Sequence, residues 1–479
     1  MNSKYLVLGA TLLLSITGLT SCGPKKDSKK ILFWHTFGQG IQRAVNTQAE
    51  KFEKLIKETE GIDVDIVCEY QGGYDELSNK IVNSFATGST PTVSVAYPDN
   101  VATYLSEEPK KGDYVINLKK FIDDPEIGLD KEKHITPLQK GVDDIVDSFY
   151  KEGTNYKYEG VYSMPYLKST ELMLYNRDVI PQVLIDMGIQ TGVDQYMRNL
   201  TWDQLMAMLR HINENRAKYG MEDTDKVKKF PLFYDSDANL FISQCYQRGI
   251  DYISMDKDGK GSIDFKNDEA KALVTELKGL HDEGILITKG TNKNEYGSNF
   301  FKAQNALFCV GSTGGTAYSD PGESFSVGVC KFPAYTTAVG TEKEKYVSQG
   351  VTLTLFNNPG DSAEINDFKT TYGWKFIKYL TNTENSINAC LSSSGYIPAR
   401  YSCYEDPNYA EYLEQEDYMS VCANIIVNDL KGRYFNYPVF KGSDRARDQV
   451  GAIITNVFSG KWKLDEGFDQ AYENVVKFM

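Results

Sequence analysis

An α/β fold is the class that this sequence predicts, because segments with the periodicity of strands and of helices alternate from residue 31 onward. Residues 31–37 and 92–97 are short apolar runs, residues 62–70 alternate in polarity, and residues 41–56 and 75–88 carry apolar side chains at helical spacing. Strands separated by single helices pair in parallel through right-handed crossovers. The 479 residues suffice for two or three domains of ordinary size.

Two later helices have marked starting points. Residues 201–204, Thr-Trp-Asp-Gln, have the form of a capping box, in which the first and last side chains bond each other's backbone N–H groups. Asn267 stands in the same way before the helical pattern that follows it. Both positions are therefore predicted helix N-termini.

The first thirty residues predict export. Residues 1–21 carry one lysine and an apolar run, as in a secretory leader. The ending Leu-Thr-Ser-Cys resembles a bacterial lipobox, which makes Cys22 the expected acylation site and residues 22–30 a flexible, polar tether. The expected location is outside the cytoplasm, anchored through Cys22 to a bacterial membrane, and the alternative is a soluble secreted protein. No later stretch is long and apolar enough to predict a membrane span.

Charge and cysteine content restrict the partners. The formal net charge is −14, and an acidic surface of that size repels nucleic acid. Seven cysteines besides Cys22 are irregularly spaced without a CxxC pair, which predicts neither a zinc cluster nor a dense disulfide framework. Cys390 and Cys403 are the pair that could form a disulfide.

No catalytic, metal or cofactor motif emerges. The chain has four histidines but no GxSxG or HExxH sequence. His211 and His281 fall within predicted helices and favour structural roles, and His134 follows a charged segment typical of surface. The Gly38–Gly40 turn lacks the third glycine of a dinucleotide loop. Residues 256–267 imitate a calcium loop but end on asparagine where glutamate is needed, so a β-hairpin is favoured.

Candidate binding residues stand where predicted strands end, because ligands of open α/β sheets bind beyond the carboxyl ends of the strands. These positions include Trp34, His35, Tyr74, Tyr97 and Asp99. The chain has 32 tyrosines but only 4 tryptophans, and several tyrosines lie at strand ends. Their rings stack on sugars or attract quaternary cations, while their hydroxyl groups hydrogen-bond.

The order of these segments resembles the extracellular solute-binding lipoproteins of ABC importers, in the sugar-type family that includes maltose-binding and glycerol-3-phosphate-binding proteins. The resemblance rests on the lipobox followed by FWHTFGQGIQRAVNTQAEKFE, YQGGYDELSNKIVNSFATGSTPTVSVAY, GVYSMPYLKSTELMLYNRDV, TWDQL, ALFCVGSTGG, VGVCKFPAY, SQGVTLTLF and SSGYIPAR, and the glycerol-3-phosphate type is the closer. It implies a two-lobed periplasmic binding protein fold of type II with an interlobe ligand cleft. It also implies a monomer that captures a solute, performs no chemistry and delivers the solute to a membrane permease.

The resemblance further implies that the chain passes between the lobes more than once. We expect residues 31–170 and 326–382 in the N-terminal lobe and residues 171–325 and 383–479 in the C-terminal lobe. The crossings would then lie near Thr170, near Phe325 and near Leu380.

The family pocket can be carried over residue by residue. Places that match the glycerol-3-phosphate type are Tyr74, Ser169-Thr170, Ser312, Gly350 and Tyr396.

Three places depart from that pattern. An acidic residue of the family falls on Pro98, with Asp99 one step on, and tryptophans of the family are replaced by Tyr234 with Asp235 and Asp237. The phosphate-binding arginine has no clear counterpart, and Lys441 and Arg445 are the nearest cations. Losing a bidentate arginine argues against a phosphate monoester.

The sequence thus predicts a site without catalytic or metal-ligating residues and without a cofactor. The ligand-binding set is Trp34, His35, Gly38, Gln39, Tyr74, Tyr97, Asp99, Tyr166, Ser169, Thr170, Tyr234, Asp235, Ser312, Gly350 and Tyr396.

The favoured ligand is a carbohydrate or related polyol. The alternative is glycerol 3-phosphate or a glycerophosphodiester such as glycerophosphocholine, whose cation Asp235 and Asp237 could hold beside Tyr234. Two rivals from other classes are a secreted glycosidase, which needs paired carboxylates across a cleft, and a surface lipoprotein that binds another protein.

Overall fold

The computed structural model describes residues 29–108, 110, 114–129 and 141–479. The predicted leader, Cys22 and His134 lie outside these residues. Among the residues described, no helix is long and apolar enough to cross a membrane.

The described part of the chain contains fifteen strands. In chain order they are β1 (Lys30–His35), β2 (Asp65–Tyr70), β3 (Val93–Ala96), β4 (Met164–Ser169), β5 (Glu171–Asn176), β6 (Leu232–Tyr234), β7 (Ile253–Met255), β8 (Gly261–Ile263), β9 (Leu286–Thr288), β10 (Phe308–Ser312), β11 (Val327–Lys331), β12 (Tyr346–Val347), β13 (Gln349–Leu355), β14 (Ile397–Pro398) and β15 (Tyr434–Phe435).

The α-helices of the same residues are α1 (Gln39–Glu60), α2 (Tyr74–Phe85), α3 (Pro98–Glu107), α4 (Lys119–Ile122), α5 (Asp147–Glu152), α6 (Ile180–Asp186), α7 (Val193–Arg198), α8 (Trp202–Glu214), α9 (Asp237–Arg248), α10 (Asp268–Asp282), α11 (Gly297–Lys302), α12 (Ala363–Leu380), α13 (Thr383–Leu391), α14 (Tyr401–Tyr404), α15 (Pro407–Leu413), α16 (Tyr418–Asn424), α17 (Ser443–Phe458) and α18 (Leu464–Val476). Short 3₁₀ segments include Thr313–Ser319, and Ile425–Asp429 forms a π-turn.

The first sheet has the strand order β14-β4-β13-β3-β1-β2. Strands β1, β2 and β3 are parallel, which confirms the predicted β-α-β-α-β order, whereas β4, β13 and β14 add antiparallel pairs. Helix α1 buries Ile41, Val45, Phe52 and Ile56, the apolar positions of the predicted helical face. This sheet and the helices that pack on it share one apolar core, and we call them the first lobe.

The second sheet has the strand order β11-β5-β10-β6-β9, in which β10, β6 and β9 run parallel to one another and β5 is antiparallel to both β10 and β11. Separate apolar clusters cover its two faces, one with α8, α9, α10 and α17 and the other with α14 to α16. We call this sheet with its helices the second lobe. Both predicted helix caps are present: Thr201 Oγ1 accepts from the Gln204 N–H at 3.4 Å, and Asn267 Oδ1 accepts from the Ala270 N–H at 2.8 Å.

The chain changes sheet at Thr170, the single residue between β4 and β5. Strand β11 still pairs with β5, so the return to the first sheet falls between Lys331 and Gln349, later than the predicted return near Phe325. Helix α13 packs on α1, and β14 pairs with β4, so residues 383–398 lie with the first sheet rather than beyond a departure near Leu380. The long-range pairing of short strands decides these boundaries, and local periodicity does not reveal it.

Candidate functional site

Two adjoining cavities lie between the sheets and share Tyr97. The larger has a volume of about 570 Å³, and we call it the Ser312 chamber. Tyr97 and Tyr396 of the first lobe face Asp235 and Ser312 of the second across it. The exposed rings of Tyr296 and Tyr318, with exposed fractions of 58% and 64%, also line this chamber.

The smaller cavity has a volume of about 230 Å³, and we call it the Arg447 chamber. Asp99 and Gly350 of the first lobe line it on one side. Tyr252 and Arg447 of the second lobe line it on the other. Since Tyr97 borders both chambers, one ligand can extend from one chamber into the other.

Two predicted tyrosines, Tyr97 and Tyr396, line the cleft here, and a third, Tyr74, packs on Tyr97 but lines neither chamber. The rings of Tyr74 and Tyr97 have centroids 4.4 Å apart at an angle of 46°. Burial raises the pKa of the Tyr74 hydroxyl, and the neighbouring Tyr97 acts in the same direction. The group therefore presents ring faces and neutral hydroxyl groups to the cleft, which suits a polyhydroxylated ligand.

Asp235 and Ser312 supply polar groups from the second lobe. Burial raises the pKa of Asp235 to about 6, although the N–H of Gly297 donates to its carboxylate at 2.6 Å. Ser312 Oγ donates to Ser169 Oγ at 3.3 Å, which joins the ends of β10 and β4 beside the crossing. These contacts place a carboxylate and a hydroxyl group on the chamber wall.

Gly350 has a backbone reason to be glycine. Its φ is +102°, and a Cβ atom would meet the carbonyl oxygen of Leu167 at 2.1 Å. Strand β13 can therefore approach β4 closely only with glycine here, at the wall of the Arg447 chamber.

Four predicted residues are buried away from both chambers. His35 is fully buried, stacks on Phe37 with ring centroids 5.3 Å apart, and accepts from the Phe37 N–H. Burial lowers the pKa of His35 to about 4. Tyr166 is 1% exposed within the first core. The hydroxyl group of Thr170 donates to Val347 O at 2.8 Å, and that of Tyr234 donates to Glu171 Oε2 at 2.6 Å.

Three other predicted residues lie near the cleft but line neither chamber. Trp34 Nε1 donates to Glu69 on the neighbouring strand at 2.8 Å, so its polar atom is occupied. Gly38 and Gln39 are exposed at the start of α1. A Cβ atom on Gly38 would stand 3.9 Å from the Tyr318 hydroxyl group, so the two lobes approach each other at this edge.

The residues considered for a phosphate-containing or choline-containing ligand, Asp237, Lys441 and Arg445, have partners within the protein. The carboxylate of Asp237 accepts from Thr288 Oγ1 at 2.6 Å and from the Gly290 N–H at 2.9 Å. Lys441 pairs with Glu107 at 3.1 Å, and Arg445 lies over the Phe478 ring at 3.2 Å. None of the three lines a chamber.

Two cations line the chambers, Lys302 the Ser312 chamber and Arg447 the other, and the sequence predicted neither. The guanidinium group of Arg447 donates to Asn239 Oδ1. Ser443 and Arg447 are four residues apart and therefore share one face of α17. The sequence does not show that this face meets the cleft, because the packing of the helix decides it. Tyr296, Tyr318 and Lys302 were also missed, because they stand in loops or a short helix without periodicity.

Metal ligation and disulfides find no support in the described residues. No group of three or more His, Cys, Asp or Glu side chains there could hold a metal ion. The seven cysteines of this part of the chain are free thiols, including Cys390 and Cys403. Residues 253–263 form the predicted β-hairpin, with Asp256 Oδ1 accepting from the Asp258 and Lys260 N–H groups inside the turn.

Comparison with known proteins places the chain among binding proteins. Residues 47–415 match the model of the bacterial extracellular solute-binding protein family. The sn-glycerol-3-phosphate-binding periplasmic protein UgpB of Salmonella paratyphi A is 21% identical over 99% of this chain and 96% of its own length.

Two solved structures show the same fold. UgpB of Mycobacterium tuberculosis in complex with glycerophosphocholine has a TM-score of 0.68 at 16% identity, covering 94% of this chain and 98% of its own. The GacH receptor of Streptomyces glaucescens, solved unliganded and with acarbose, has a TM-score of 0.64 at 20% identity and the same coverage of both chains. At these identities the likeness concerns the fold.

Proposed function

The chain belongs to the bacterial extracellular solute-binding protein family, and we propose that it captures a carbohydrate or related polyol between its lobes for delivery to an ABC importer. The observation that carries the choice of ligand is the junction of the two chambers. There, Tyr97 and Tyr396 offer ring faces and neutral hydroxyl groups, and the ring of Tyr74 packs on that of Tyr97. Sugars combine apolar C–H faces with many hydroxyl groups, and such a wall complements both.

Within this proposal, the contacting residues divide between the lobes. Tyr97, Tyr396 and Asp99 act from the first lobe, and Asp235 and Ser312 act from the second, together with the backbone at Gly350 on β13. Tyr74 supports the ring of Tyr97. Tyr166, Tyr234, His35 and Thr170 support the walls rather than touch the ligand, because their side chains are buried or bonded elsewhere.

The proposal describes binding without turnover. A glycosidase would need a free carboxylic acid opposite a second carboxylate. Of the carboxylates that line the Arg447 chamber, Glu152 is held by Lys168 at 2.6 Å and by a hydrogen bond from Ser348. Binding without turnover predicts that incubation with neutral oligosaccharides gives no hydrolysis product.

Delivery requires that the protein stay near its permease. We propose export through the leader and acylation at Cys22, which leave a monomer tethered to a bacterial membrane. Replacement of Cys22 by Ser should release the protein into the soluble fraction, and retention of this variant in the membrane would count against the anchor.

A second candidate ligand has a specific observation in its favour. Relatives of the chain are named for sn-glycerol 3-phosphate, and one solved relative holds glycerophosphocholine. Arg447 places one guanidinium group in the cleft, so a glycerophosphodiester is the alternative to be tested beside sugars.

Thermal unfolding of the purified chain with maltotriose, acarbose, sn-glycerol 3-phosphate and glycerophosphocholine tests the proposal. A true ligand at a hundredfold excess over its dissociation constant should stabilise the chain by about 2.7 kcal/mol. Tyr97→Ala should abolish most of this gain. Tyr70→Ala is the matched control, because Tyr70 is exposed and lines neither chamber. An equal loss in both variants would contradict the assigned site.

A further inference from the structure

Arg447 is held in its chamber by an ordered set of buried groups. Glu171 is 3% exposed, and its two carboxylate oxygens accept from the Tyr234 hydroxyl group and from Asn239 Nδ2, each at 2.6 Å. Asn239 is fully buried, and its Oδ1 accepts from Arg447. Because the amide nitrogen of Asn239 donates to Glu171, the amide oxygen of Asn239 must face the guanidinium group of Arg447.

This order leaves most of the guanidinium group available. Arginine carries five N–H donors, and among the described residues the side chain of Arg447 donates to Asn239. The remaining donors border a chamber that Tyr97 and Asp99 line from the opposite lobe. A ligand in this chamber would therefore meet fixed donors on one side.

The carboxyl groups around Arg447 make its chamber unfavourable for an anion. Burial raises the pKa of Asp99, an effect that Arg447 opposes and Asp444 increases. Burial, together with Asp75, Asp444 and Asp99, raises the pKa of Asp448 to about 6. The guanidinium group thus shares its chamber with the carboxyl groups of Asp99 and Glu152, and further carboxyl groups lie near Asp99. A phosphate monoester brings about 1.5 to 2 further negative charges at neutral pH.

We propose that Arg447 and Asp99 form a specificity pair for an uncharged vicinal diol, in which Arg447 donates to one hydroxyl oxygen and Asp99 accepts from the other. The pair spans the cleft, so it binds the diol fully only when the lobes are closed. It also excludes phosphate monoesters by its own charge balance. Glu171 and Asn239 are positioning residues that orient the guanidinium group. The inference rests on the proposed function and names the ligand class of the same site.

Calorimetric titration of the full chain with maltotriose and with sn-glycerol 3-phosphate tests the pair. The wild type should bind the phosphate at least about a hundredfold more weakly than the sugar. Asp99→Asn keeps the size of the side chain but removes its charge, so its affinity for sn-glycerol 3-phosphate should rise at least about tenfold while its affinity for the sugar falls. Asp465→Asn is the matched control, because it removes one charge from an exposed carboxylate on α18.

The positioning role has its own readout. Glu171→Leu removes both carboxylate acceptors, so no group at this position holds the amino end of Asn239 and its oxygen is no longer fixed toward Arg447. Adding Glu171→Leu to Asp99→Asn should reverse the gain in phosphate affinity, as Arg447→Gln should. A purely structural role for Glu171 would lower the melting temperature without changing the ratio of the two affinities.

The outcomes separate the two proposals. If the wild type binds sn-glycerol 3-phosphate as tightly as the sugar, or Asp99→Asn gains no phosphate affinity, the specificity pair is overturned and solute capture stands. If neither the wild type nor Asp99→Asn binds maltotriose, acarbose, sn-glycerol 3-phosphate or glycerophosphocholine, both proposals fail. Melting curves of each variant show whether a lost affinity reflects unfolding.

Discussion

The three helices that begin at the cleft edge of the first lobe start differently from three helices of the second lobe. In the first lobe, α1, α2 and α3 follow Gly38, Gly73 and Tyr97, and none of these residues bonds the first turn of its helix through a side chain. In the second lobe, α8, α9 and α10 are capped by the side chains of Thr201, Ser236 and Asn267.

This difference follows the position of the cleft. The uncapped starts lie at the carboxyl ends of β1, β2 and β3, where ligands of α/β sheets bind, and their N–H groups stay available for ligand oxygens. Among the capped helices, α8 and α10 begin away from the chambers, and there the caps serve stability. The cleft edge of the first lobe therefore gains little stability from helix caps, and the buried contacts of this lobe should contribute more.

The largest effect should come from the buried ion pair of the first lobe. Lys168 Nζ lies 2.6 Å from Glu152 Oε2, and their side chains are 0% and 2% exposed. Lys168→Met leaves a buried carboxylate without its cation and should reduce the free energy of unfolding by about 3–5 kcal/mol. Urea unfolding measures the change.

The matched control for that variant is Lys271→Met, because Lys271 pairs at 2.6 Å with Asp465, whose side chain is 79% exposed. Its loss should stay below about 1 kcal/mol. Equal losses of unfolding free energy from the two substitutions would show that burial does not increase the effect of breaking the Lys168–Glu152 pair.

His35 makes the first lobe sensitive to acid. Its pKa is lowered by burial from 6.5 to about 4, so the folded chain binds fewer protons than the unfolded chain between these values. The stabilising contribution is complete above pH 6.5 and is lost as the pH falls through 4, by roughly 2–3 kcal/mol. Unfolding of the wild type and His35→Gln between pH 7 and 4.5 measures it, and a constant difference between the two proteins would contradict it.

The second lobe should respond to pH in the opposite direction. Burial raises the pKa of Glu171 from 4.5 to about 7, although Tyr234 and Asn239 donate to it. The folded chain then binds more protons than the unfolded chain, so the free energy of unfolding should fall as the pH rises from 4.5 through 7. Comparison of the wild type with Glu171→Gln over this range isolates the contribution. A rise in the wild type relative to the variant would contradict the sign.

Regular, local features of both lobes could be predicted from the sequence. The β-α-β-α-β order and the caps at Thr201 and Asn267 depend on neighbouring residues, and the structure confirms them. The family resemblance and strand-end positions also selected Tyr74 and Tyr97, which the structure brings together.

Features that depend on long-range pairing could not be predicted. Tyr234 ends a strand like Tyr97, but β6 lies between β10 and β9, and Glu171, distant in sequence, takes its hydroxyl hydrogen bond. Arg447 lines the cleft because of the rotation of α17 about its axis, and Arg445, two residues earlier, instead covers Phe478. A pattern of residue types contains neither fact.

The smallest effects should come from exchanging the cap chemistry of the two lobes. Thr201→Ala removes an N-cap and should cost about 1 kcal/mol of unfolding free energy. Gly73→Ser adds one to α2, where the backbone is extended at φ −77° and a Cβ atom would meet nothing within 4 Å. It should stabilise the chain by only a few tenths of a kcal/mol. Ligand affinity should be unchanged in Thr201→Ala but reduced in Gly73→Ser, because the new hydroxyl group occupies N–H groups at the cleft edge. Unchanged affinity in both variants would mean that the uncapped helix starts of the first lobe serve no binding role.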